Sequence, residues 1–217
     1  MPGRASQLRR RLRARPHDQR RLQENHLEPC EFPGCDERRE VNSFSKLCRL
    51  HKTRHQLTGS AWHKPLPQSA LKSARSLARD FVEAHSDHKG LQAALRLLGI
   101  MFVSPRSYFQ DVRVIVAVET ARNKHAHDLQ HVLERLLAVY VIRHLKPAAI
   151  TDDDGLTFEV YRATLPGQNR NPVKVREAVG PFIIEALGLL LTRAARRACH
   201  EQQQQPNPST RRSRNVF

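Results

Sequence analysis

Cys30-Glu31-Phe32-Pro33-Gly34-Cys35, followed after twelve further residues by Cys48-Arg49-Leu50-His51, decides how the first third of this chain folds. Three cysteines and a histidine fall within 22 residues. Two short ligand pairs joined by a longer loop is the spacing of a structural zinc site, because each pair closes from one local turn. Pro33-Gly34 supplies the tight turn between the first two sulfurs. Cys48 and His51, three residues apart, share one side of a helix if that helix begins near Ser45. Three thiolates and one neutral imidazole complete a tetrahedron with no open position, which points away from catalysis at the metal. Two other histidines compete for the fourth place: His55, one turn beyond His51, and His26, just upstream. The expected product is a small zinc-stapled, treble-clef-like module.

Charge decides the class of partner. The 217 residues carry a formal net charge of +16 and an isoelectric point near 10.8, so a polyanion is the expected ligand. Residues 1–23 hold eight arginines against the single acid Asp18. With few apolar residues to bury, residues 1–25 are expected to form a basic arm, disordered or folding on contact, with Arg9, Arg10, Arg11, Arg13 and Arg15 meeting phosphates. A mitochondrial transit peptide is the targeting alternative, although the segment lacks a serine-rich amphipathic pattern. Between Glu40 and Asp80 no acidic residue occurs, while eight lysines and arginines do. Lys46, Arg49, Lys52, Arg54 and His55 lie on or beside the helix that would carry Cys48 and His51. A metal-pinned helix with cations on its free side is a rigid element for contacting phosphates and base edges. Trp62 can stack on a base or pack the module onto its neighbour.

From residue 66 onward the pattern is helical. Leu71, Ala74, Leu77, Ala78, Phe81 and Val82 repeat at helical spacing after Ser69, a candidate cap. Gly90 marks a break before Leu91, Ala94, Leu95 and Leu98. Val112, Val114, Val116 and Val118 alternate like a strand, yet their neighbours are helical and no pairing strand is evident, so a helix is the reading taken. Leu129, Val132, Leu133, Leu136, Leu137, Tyr140 and Val141 define the strongest helix. Residues 151–163 fit a capped helix or a strand, and Gly180-Pro181 signals the start of a last helix. From Gln202 the composition is low-complexity. No run approaches the ~18 apolar residues of a membrane span. The divisions are residues 1–25 (arm), 26–65 (zinc module), 66–200 (helical domain) and 201–217 (disordered tail). The fold class is mainly α.

Little in the chain points to catalysis. His125, His127, Asp128 and His131 cluster at a helix start, but no glutamate follows His127 as a zinc hydrolase requires. Asp152, Asp153 and Asp154 read as an acidic helix cap rather than a nuclease site. Cysteines clustered outside any disulfide framework favour a reducing compartment.

The Cys30–Cys35 turn, the Cys48–Arg54 segment and Thr58-Gly59 together resemble the short zinc module of proteins from bacterial phages and integrative elements. Some of those proteins are HNH-type nucleases. The resemblance covers about 35 residues and implies structural Zn²⁺ on Cys30, Cys35, Cys48 and His51, with DNA as the context. The nuclease constellation does not carry over, since Asn42 and His55 are the only nearby candidates. The expected function is a non-catalytic, cytoplasmic, DNA-binding protein of a bacterial mobile element, nucleoid-associated if bacterial. An RNA-bound or ribosome-associated protein and an HNH-type nuclease are the alternatives.

Overall fold

Leu129–Leu145 is apolar on nearly every side, and a helix of that kind has to lie inside a protein. In the computed structural model, which describes residues 16–40, 43–125, 128–167 and 172–204, the chain divides into two compact units, Met1–Trp62 and His63–Phe217. Among the described residues the protein is mainly α, with eight α-helices and no strand.

The first unit contains α1 (Pro16–Leu27) and α2 (Arg49–Thr58). Between them runs an irregular antiparallel ribbon, with Pro29 bridged to Arg38 and the Cys30 amide donating to the Glu37 carbonyl at 2.9 Å. Residues 16–25, expected within the arm, are helical, and side-chain chemistry rather than an apolar face docks them. The Asn25 amide donates to the carbonyls of Ser43 (2.7 Å) and Ser45 (3.1 Å) and accepts from Arg39 at 3.0 Å. Arg9, Arg10, Arg11, Arg13 and Arg15 lie outside the described residues.

α2 begins four residues later than the sequence suggests. The Ser43 and Ser45 hydroxyls accept the amides of Ser45 (3.1 Å) and Leu47 (3.2 Å), local turns that compete with helix formation. Cys48 then occupies the N-cap in extended conformation. The helix ends at Gly59, whose φ of 87° is the left-handed conformation that favours glycine there.

The second unit holds α3 (Gln68–Ala84), α4 (Lys89–Val103), α5 (Val112–His125), α6 (Leu129–Leu145), α7 (Asp153–Thr164) and α8 (Pro172–Gln204). α6 is the axis: every residue from 132 to 142 is buried, Glu134 and Arg135 included, and α3, α4, α7 and α8 pack around it. The valine run resolves as a helix, with Val114, Val118 and Ala121 buried and Val112 and Val116 exposed. Asp152 caps α7 by accepting the Gly155 amide at 2.7 Å, so the acidic triplet opens a helix. Gly90 sits inside the first turn of α4, where its amide donates to His88 Nδ1 at 3.1 Å, and does not break the chain.

The largest departure is α8. It runs unbroken through Gly180-Pro181, 33 residues in all, and includes Glu201–Gln204 of the expected tail. Pro181 is exposed, so the carbonyl its ring deprives of a donor can turn to water. Val175, Val179, Ile183, Leu187, Leu191, Ala195 and Ala198 form its buried stripe, and α8 packs against α6 and α7. By length and composition alone α8 is also apolar enough to cross a membrane, a property that its interrupted apolar runs conceal in the sequence.

Gly180 is required by packing against α7. A Cβ there would meet Thr157 Cγ2 at 2.5 Å and the Thr157 carbonyl oxygen at 2.7 Å. Gly180→Ala gains about 1 kcal/mol of helix propensity, but overpacking against fixed backbone costs about 1–3 kcal/mol. Chemical denaturation should show the variant net destabilised. Shortening Thr157 should recover only part of the loss, because the backbone oxygen remains.

Candidate metal centre

Cys30, Cys35, Cys48 and His51 bring one ligand atom each to within 4.8 Å of one another. Cys48 Sγ lies 3.3 Å from His51 Nδ1, Cys30 Sγ lies 3.6 Å from the same nitrogen, and the Cys35 and Cys48 sulfurs are 4.0 Å apart. A tetrahedral ion with metal–sulfur bonds of about 2.3 Å needs ligand–ligand edges of about 3.8 Å. The four atoms fit such an ion. A disulfide needs about 2.0 Å between sulfurs, and all four cysteines of the chain are free thiols.

Local geometry explains the convergence. Gly34 takes a φ of 74°, and the Cys35 amide donates to the Phe32 carbonyl at 3.1 Å, closing the first turn. Cys30 Sγ accepts the amides of Phe32 (3.5 Å) and Cys48 (3.2 Å), which ties the turn to the start of α2. Cys48 at the N-cap and His51 three residues on then point the same way. The His51 ring is covered by Phe32, stacked at 3.6 Å and 13°, and Phe32 in turn meets Trp62 at 4.4 Å. Trp62 therefore packs within its own unit while remaining half exposed, at 52%.

Electrostatics suit a cation. Burial raises the Cys30 thiol, yet the Cys48 and Phe32 amides and the adjoining thiols outweigh it and leave its pKa below the ordinary value. At Cys35 the Glu37 backbone favours the thiolate, but burial and the sulfurs of Cys30 and Cys48 raise its pKa overall. Neighbouring sulfurs resist ionising together unless a positive ion sits among them. Burial, helped by the Arg54 charge, lowers the His51 pKa and keeps the imidazole neutral, as a ligand must be.

The competing histidines are elsewhere. His26 Nδ1 faces the Arg39 carbonyl at 2.5 Å, and His55 is exposed on α2. Among the basic residues, Lys46 pairs with Glu31 at 3.1 Å. Lys52 is bound to Glu40 and, at 2.8 Å, to the Ser43 hydroxyl, so it braces the module. Arg49 is exposed and Arg54 half-buried. Asn42 lies outside the described residues. Sequence reasoning did not foresee the part of Phe32; an aromatic inside a Cys-x4-Cys turn was the available signal. Asn25 carried no such signal, since its partners are backbone carbonyls.

No protein-family model, curated protein or solved structure matches the chain.

The chain has a single tryptophan, and it lies one ring away from His51. Its emission therefore reports on the cluster. Adding a strong chelator, or Cys48→Ser, should shift Trp62 emission to the red, while the far-ultraviolet circular dichroism of the second unit changes little. Unchanged emission in both experiments would show that no metal organises the first unit.

Proposed function

We propose that this is a non-catalytic, zinc-containing protein that binds nucleic acid, with DNA as partner, in the cytoplasm and in association with a bacterial mobile element. Soft thiolates with one imidazole in a tetrahedral set favour zinc over hard cations such as magnesium or calcium. The set is closed, so the ion shapes the module and has no position for a substrate.

The observation that carries the reading is the cationic surface of α2. Cys48 and His51 tie this helix to the cluster, and Arg49, Arg54 and His55 on it have no ion-pair partner among the described residues. Three thiolates and one divalent ion would sum to one negative charge, which offsets only part of the positive charge of Arg49 and Arg54. Fixed cations of this kind suit phosphate contacts and base-edge hydrogen bonds. The arm, with Arg9, Arg10, Arg11, Arg13 and Arg15, adds sequence-independent attraction.

Labelled duplex DNA and RNA, titrated at several salt concentrations with and without Mg²⁺, test the reading. Binding to DNA should weaken with salt. Arg49→Ala with Arg54→Ala should reduce the log–log slope on duplex DNA by about 0.9 for each phosphate that is no longer neutralised. Lys52→Ala should behave differently, loosening the module through loss of its Glu40 and Ser43 bonds. Tighter binding to RNA would reassign the partner. Mg²⁺-dependent cleavage would make the protein a nuclease, and absence of binding at low salt would remove the proposal.

A further inference from the structure

A cavity of about 150 Å³ lies among α3, α6 and α7 of the second unit, with Gln68, Arg75, Arg135, Glu159, Arg162 and Gly167 in its wall. Gln68 and Gly167 are exposed and form its rim. Three guanidinium groups face one carboxylate here, and that carboxylate is already engaged. Glu159, only 1% exposed, lies 3.0 Å from His63 Nε2 and accepts from the Leu66 amide at 2.8 Å and from Arg162 at 3.1 Å.

Arg135 is the anomaly. It is 7% exposed, and its Nε and Nη2 have no hydrogen-bond partner, nor does Nε of Arg75. Burial, and then the Arg75 charge, lower the Arg135 pKa; the charges of Asp128 and Glu134 act the other way without a hydrogen bond to it. Glu134 is instead held by His131 and Gln130, both at 3.3 Å. Buried guanidinium nitrogens without an acceptor are unfavourable, and a counter-ion is one way native proteins satisfy them. The cavity has room for several waters, but water would not supply the negative charge that Arg75 and Arg135, neither of them in an ion pair among the described residues, lack in direct contact.

We propose that this cavity is a binding site for a phosphate group in its dianionic form, with Arg135 as the buried anchor, Arg75 as the second ligand and Arg162 at the mouth. Arginine forks match phosphate oxygens in geometry. A dianion, such as a phosphate monoester near neutral pH, balances both charges, whereas a single carboxylate balances one. The site is independent of the metal cluster and of the nucleic-acid reading.

The test is thermal unfolding of the full chain, followed by circular dichroism, against inorganic phosphate at constant ionic strength. A nucleoside 5′-monophosphate and acetate are titrated in parallel. Phosphate should raise the unfolding temperature saturably, as a ligand specific to the native state does. Arg135→Met should unfold at or above the wild-type temperature without phosphate, because it removes an unpaired buried charge, and should need at least tenfold more phosphate for the same shift. Should Arg135→Met fail to fold, the half-buried Arg75→Gln carries the test, with an expected loss of about tenfold in phosphate affinity. Binding of the nucleoside monophosphate as tightly as phosphate identifies an esterified ligand; its exclusion identifies free phosphate, and either supports the site. Equal responses of wild type and variants, no saturable response, or a response to acetate matching that to phosphate would overturn it.

Discussion

Three sulfurs and an imidazole nitrogen within 4.8 Å of one another form an arrangement that an aqueous chain does not hold unaided. The first unit has little else at its centre. Among the described residues its buried ones are Cys30, Cys48, His51, Thr58 and Ser60, whereas Leu27, Phe44, Leu50, Leu57 and Trp62 are largely exposed. An interior of this kind suits stabilisation by a bound metal rather than by apolar area, the usual solution for a module too small to enclose a core. Every other feature of the unit serves that centre. Gly34 turns the chain, Cys30 gathers two amides, Phe32 covers the imidazole, and Asn25 with Arg39 laces α1 to the ribbon.

The second unit is stabilised by the opposite means. α6 is enclosed on all sides, and its neighbours contribute apolar stripes at helical spacing, so burial of hydrocarbon dominates. Polar groups inside this core are arranged with care around one residue. Glu159 receives His63, the Leu66 amide and Arg162 at once, and thereby fixes the start of the unit against α7. Replacing it by a neutral residue would leave several donors without an acceptor, a strongly unfavourable change in a low-dielectric interior. Arg135 and Arg75 mark where charge does not balance within the chain itself.

Much of this was legible in the sequence, for physical reasons that differ between the units. Ligand spacing is short-range information, so the approach of Cys30, Cys35, Cys48 and His51 could be anticipated from turns and helix periodicity. That Leu129–Leu145 is a helix was equally plain from its apolar spacing, whereas its burial on every side, Glu134 and Arg135 included, was not. Boundaries were harder. The late start of α2 depends on the Ser43 and Ser45 hydroxyls, which compete with the helix without altering its hydrophobic pattern. The continuity of α8 through Pro181 depends on which face the proline occupies, and that is settled by tertiary packing at Gly180 and Thr157. The cavity around Arg135 was invisible, since its arginines come from α3, α6 and α7 and no local spacing connects them.

The proline of α8 also orders events in time. An isolated helix with an interior proline is less stable by about 3 kcal/mol, so α8 becomes continuous only when α6 and α7 are there to receive its buried stripe. The helical unit thus lacks a finished core until the stretch that ends at Gln204 has been synthesised. The first unit ends at Trp62. At a synthesis rate of about 5–20 residues per second, the interval between the two is on the order of ten seconds. During that interval the nascent chain already carries all four residues of the Cys/His cluster, before the helical core can close.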